Sequence, residues 1–137
     1  MKRISLHFLA WLFLCLAGSA VAELPPLSPE MKQEQAAFVV VAEIGESQSE
    51  EVTTQSGFIN TVYSVQVVVH EVKKGEGLHP GDALVCTYWK ASRRPRGWVG
   101  PGGQYEHLKK GSKVCLFLHQ AEGRKYALLT PNGWDKL

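Results

Sequence analysis

Between Trp89 and Tyr105 the chain interleaves Lys90, Arg93, Arg94, Arg96 and Trp98, so three guanidinium groups and one ammonium lie among aromatic rings. A guanidinium grips a carboxylate, sulfate or phosphate through two parallel N–H donors. An indole offers a stacking face for a sugar, or an anchor that fills a pocket on a protein. These residue types in this pattern are binding chemistry, suited to a protein or an anionic glycan. They fit equally well a solvated loop whose tryptophans cap a hydrophobic core, and the sequence leaves both arrangements open.

The other reactive residues are dispersed. His70, His79, His107 and His119 have no metal-ligand spacing among themselves, so no metal or cofactor is expected. No serine or cysteine sits in a glycine-flanked elbow, and Gly100-Pro101-Gly102-Gly103 lacks the Lys-Ser/Thr that completes a phosphate loop. No catalytic residue is therefore assigned and the chain is not expected to be an enzyme. The alternative is a small hydrolase or metal-dependent enzyme with a site assembled from these scattered groups, which a cleft gathering two histidines and a carboxylate would favour. Cys86 and Cys115 each fall in the middle of an extended run, 29 positions apart, which is too far for a redox Cys-x-x-Cys pair. In an oxidising compartment a disulfide between them is expected, stabilising by about 3–4 kcal/mol on the chain-entropy model. Two buried free thiols are the alternative.

The beginning of the chain speaks for such a compartment. Lys2 and Arg3 precede an apolar run, residues 6–16, that is too short to anchor in a bilayer, and Ala20-Val21-Ala22 supplies the small-x-small pattern of a signal-peptidase site. Residues 1–22 read as a signal peptide, Glu23 as the mature N-terminus, and Cys15 as one more apolar residue of the leader. The mature protein is expected to be secreted or periplasmic, with no membrane span. Loss of Lys2 and Arg3 lowers the formal charge from +2 to zero, and about 115 residues remain, enough for one core. Residues 23–71 carry eight acids and one base; residues 72–137 carry twelve bases and five acids. A neutral chain in this compartment makes nucleic acid a poor partner.

The elements that must position these residues are mostly strands. Leu24-Pro25-Pro26-Leu27 is an extended lead-in, and Ser28-Pro29-Glu30 combines an N-cap, a first-turn proline and a first-turn acid, predicting a short helix or arm within residues 23–35. Residues 36–44 form a β-branched run of strand length. Residues 45–57 are polar and acidic, as a loop or frayed hairpin tip would be. Tyr63, Val65, Val67 and Val69 then alternate with Ser64, Gln66, Val68 and His70, the period of a half-buried strand. His79-Pro80-Gly81-Asp82 reads as a turn. A third strand is expected over 83–89, a long loop over 90–111, and a hairpin of strands four and five over 113–119 and 125–129. Residues 36–137 thus make one all-β domain, a small five-stranded OB-like barrel whose closure removes exposed edges.

The order of Ala37-Phe38-Val39-Val40-Val41-Ala42-Glu43-Ile44, Tyr63-Ser64-Val65-Gln66-Val67, Val72-Lys73-Lys74-Gly75, Gly81-Asp82-Ala83-Leu84-Val85 and residues 108–118 resembles netrin-like domains, the barrel of tissue inhibitors of metalloproteinases. The resemblance spans most of residues 36–129 and implies a secreted, non-catalytic binding barrel. In those inhibitors an N-terminal cysteine binds the protease zinc. Here cleavage leaves Glu23 and the next cysteine is Cys86, so that mechanism has no support. The function expected is an exported binding or inhibitor-like module, with Trp89, Lys90, Arg93, Arg94, Arg96, Trp98 and Tyr105 as its contact residues.

Overall fold

The computed structural model describes residues 24–98 and 100–137; the expected signal peptide and its cleavage before Glu23 lie outside the described residues. Ser28 caps helix α1, Pro29–Gln35, its hydroxyl accepting the Met31 N–H at 3.2 Å, with Pro29 in the first turn. Seven residues cannot hold a helix alone. The anchor is Lys32, whose buried ammonium donates to Asp135 Oδ1 at 2.5 Å and to the Asn132 carbonyl at 3.2 Å, 4.8 Å from the centre of the Phe117 ring. Just ahead of the helix, both backbone polar groups of Leu27 bond the Asn132 side chain.

Six strands follow: β1 (Phe38–Thr53), β2 (Ile59–Lys74), β3 (Ala83–Arg93), β4 (Lys113–Gln120), β5 (Lys125–Leu128) and β6 (Trp134–Lys136). They form one sheet in the order β1-β2-β3-β5-β4-β6, and a further pairing of β1 with β4 closes the first five into a ring. The all-β, five-stranded arrangement with a short N-terminal helix is therefore as expected. Its ring is irregular rather than a uniform barrel. The β3–β5 joint is parallel and only three residue pairs long, and β1 is interrupted by register shifts, including one between Ile44 and Ser47.

Alternation sorts the side chains into two clusters. Val65, Val67 and Val69 of β2, Cys86 and Tyr88 of β3, and Val114, Leu116 and Leu118 of β4 point into the ring with Val40, Ala42 and Ile44. The intervening Cys115 and Phe117 of β4 face outward, where Val39, Leu129 and Ala36 bury them beneath the N-terminal arm. Strand β4 is thus covered on both faces, which is why it reads as a continuous apolar run.

The same alternation corrects the expected disulfide. Cys86 and Cys115 are free thiols, one inside the ring and the other outside it, so their side chains cannot meet without turning a strand over. Three boundaries also differ. Residues 45–53, expected as a loop or frayed hairpin tip, continue β1 as a polar ribbon paired with β2; β3 runs on to Arg93; and β6 was not expected. The turn at residues 79–82 forms as read, with Gly81 at φ +93° and the Asp82 carboxylate accepting the His79 N–H at 2.8 Å.

Candidate binding surface

The basic aromatic segment starts on a strand, and this decides what each residue does. Along β3 the inward series Cys86, Tyr88 continues to Lys90, while Thr87 and Trp89 face outward. The Lys90 ammonium donates to the carbonyls of Gln104 and Tyr105 at 2.8 and 2.9 Å, stitching the long loop back onto the strand. Gly103 makes that approach possible. At φ +84°, a Cβ there would stand 2.2 Å from the Trp89 carbonyl oxygen. Lys90 is therefore a brace for the loop, and half-buried Trp89 lines an outer groove of about 340 Å³ with Val62, Thr87 and Ala127.

Arg94 is a second brace. Its guanidinium donates to the carbonyls of Ile59 and Arg93, at 3.0 and 2.9 Å, and to the Asn60 side chain, and it lies 5.2 Å from the Phe58 ring centre. It fixes the start of β2 against the end of β3. Phe58 in turn meets Trp98 edge to face, with centroids 4.8 Å apart. Gly100 packs against the indole so tightly that a Cβ would lie 2.2 Å from it. The result is a layered support, Arg94 on Phe58 on Trp98, that leaves Trp98 40% exposed.

Arg93 and Arg96 are different. Both are exposed, and among the described residues neither enters an ion pair. The acids of the β1 half are otherwise disposed: Glu43 meets His70 at 3.3 Å, Glu46 meets Lys110, and Glu50 and Glu51 stand exposed on the polar ribbon. Tyr105 is also partly exposed, but its hydroxyl bonds the Leu24 carbonyl and its N–H the Pro131 carbonyl, so it holds the arm to the loop. Of the seven residues expected to form the surface, Arg93, Arg96 and Trp98 stay available; Lys90, Arg94 and Tyr105 are committed to the fold, and Trp89 belongs to the separate groove.

A second polar cluster lies at the ring's mouth. Tyr63 and Tyr88 stack at 4.9 Å, His107 meets Tyr63 edge-on at 4.9 Å, and the Tyr88 hydroxyl lies 3.1 Å from His107 Nδ1. The Leu108 N–H donates to that hydroxyl at 3.4 Å, so the Tyr88 oxygen joins the loop backbone to the His107 ring. Desolvation, and then the Lys90 charge, lower the His107 pKa below the ordinary histidine value; burial raises that of Tyr88. Neither this cluster nor Phe58 was singled out from sequence, since their members are scattered over three segments. Among the described residues no group of three or more His, Cys, Asp or Glu could hold a metal ion, and no helix is long and apolar enough to cross a membrane. Comparison with protein-family models, with curated proteins and with solved structures finds no match.

Proposed function

We propose that the chain is an exported, non-catalytic binding module that contacts an anionic partner, a protein or an acidic glycan, through Arg93, Arg96 and Trp98. One observation carries this: two exposed guanidinium groups, without carboxylate partners among the described residues, lie within five positions of an exposed indole in the same loop, and that indole is braced by Phe58 and Arg94. A braced aromatic loses little rotamer freedom on binding, and unpaired guanidinium groups need not break an existing ion pair to take up a new one. Export is supported by the charged start, short apolar run and small-x-small site of residues 1–22. The closed five-stranded ring is compatible with a netrin-like module.

Retention on a heparin-like polyanion tests the site. The Arg93→Ala/Arg96→Ala double variant should elute at clearly lower salt than the parent, and Trp98→Ala should weaken binding further. The double variant should unfold within a few degrees of the parent, because exposed substitutions shift stability by only about 0.5 kcal/mol each. Unchanged elution of the double variant would refute the assignment.

A further inference from the structure

A cleft of about 550 Å³ opens at the mouth of the ring, between residues 106–112, the start of β4, and β6. Its floor is apolar. Strand β6 pairs with β4 in the register Val114↔Lys136 and Leu116↔Trp134, so Trp134 and Lys136 share the inward side of the sheet with Val114 and Leu116. The Trp134 indole is packed against the inner core and fixed by its N–H, which donates to the Glu106 carbonyl at 3.3 Å.

The rim is cationic. Lys109, Lys113 and Lys136 all line the cleft, and among the described residues none of them enters an ion pair or a side-chain hydrogen bond. Glu106 supplies the one side-chain carboxylate of the lining. Even with a carboxylate at the end of the chain counted against them, the ammonium groups are in excess. The imidazole of His107 completes the wall. Its Nδ1 is engaged by the Tyr88 hydroxyl, which holds the ring in place beside the lysines.

We infer that this cleft is a binding site for a small amphipathic anion, an apolar ring system bearing a carboxylate, sulfate or sulfonate. The ring would lie on Trp134 and Val114, and the anionic group would meet the ammonium groups of Lys113 and Lys136. Apolar floor and cationic rim together favour such a ligand over two simpler ones: a bare inorganic anion leaves the indole uncovered, and a neutral ring leaves the ammonium groups without a partner. The site stands apart from Arg93, Arg96 and Trp98, and does not rest on the function proposed for them.

Isothermal titration with 2-naphthalenesulfonate, followed also by the Trp134 indole N–H signal in 15N spectra, tests the inference. One equivalent should bind, the Trp134 signal should move, and Lys113→Gln/Lys136→Gln should weaken binding at least tenfold. Neutral 2-naphthalenemethanol should bind at least tenfold more weakly than the sulfonate and be indifferent to the lysine substitutions. The Arg93→Ala/Arg96→Ala variant should bind the sulfonate as the parent does. Several equivalents bound, equal affinity for the neutral compound, undiminished binding by the lysine variant, or loss of binding in the arginine variant would each overturn it.

Discussion

The ion pair that pins the N-terminal helix sets up an asymmetry that can be measured. The Lys32 side chain is 4% exposed, whereas that of Asp135 is 51% exposed, so the two ends of the pair have unequal access to water. Lys32→Met keeps most of the aliphatic stem against Phe117 and frees a carboxylate that water can solvate at once; the loss is the charged hydrogen bonding, about 1 kcal/mol after allowance for that exposure. Asp135→Ala instead leaves an ammonium buried with a backbone carbonyl and an aromatic face as its only partners. Stranding one member of a buried pair costs about 3–5 kcal/mol, and the lower end applies because the lysine stem can swing part of the way out. With roughly 4 °C of melting temperature per kcal/mol for a domain of this size, Asp135→Ala should melt about 12 °C below the parent and Lys32→Met only about 4 °C below. Thermal unfolding followed by far-ultraviolet circular dichroism at neutral pH reads both. If Lys32→Met proves as costly as Asp135→Ala, or costlier, burial of the ammonium does not govern this contact.

Three other outcomes follow from the same geometry. Arg94→Ala should destabilise by about 2 kcal/mol, since it removes charged hydrogen bonds to Ile59 and Asn60, while Arg93→Ala/Arg96→Ala should leave stability nearly unchanged; paired denaturation curves separate the brace from the surface. Burial pushes the Cys86 thiol up to about 12 and also raises that of Cys115, so neither should react with a thiol-specific reagent near neutral pH until the protein unfolds, and unfolded protein comprising residues 23–137 should then yield two equivalents; a mass lower by two hydrogens, with no reactive thiol, would show a disulfide instead. The lowered His107 pKa means that below about pH 6.5 the unfolded chain binds a proton that the folded chain does not, so this group's contribution is present above that pH and is lost as pH falls through its folded value. His107→Gln should flatten the acid side of the stability profile; a steeper profile would reverse the sign of the argument.

What could be read from the sequence was set by pattern. Valine alternation in β2, the doubly covered run of β4 and the Ser28-Pro29 start of α1 each carry a local signal, and all three form where expected. The ribbon of residues 45–53 does not, because Glu, Ser and Gln on both faces of an exposed strand leave no apolar period to detect. The anchoring of α1 was hidden for another reason: its one buried contact is made by a lysine, through partners about a hundred residues away. The disulfide inference failed on parity. Cys115 lies one residue out of step with the inward-facing Val114 and Leu116, and which face of β4 looks inward depends on the ring, not on the local run. At the candidate surface the residue types were legible, but their division of labour was not. Arg93, Arg94 and Arg96 look alike in sequence, and only the position of Ile59, Asn60 and Phe58 commits the middle one to the fold.

Mapping a bound heparin-derived oligosaccharide onto the protein by backbone and indole NMR shifts tests the central claim most directly. The largest shifts should cluster at Arg93, Arg96 and the Trp98 indole, weaken with rising salt, and disappear in the Arg93→Ala/Arg96→Ala variant while Phe58 and Asn60 keep their parent positions. Shifts centred on Lys109, Lys113 and Lys136 instead, or none at Trp98, would contradict the assignment of this surface.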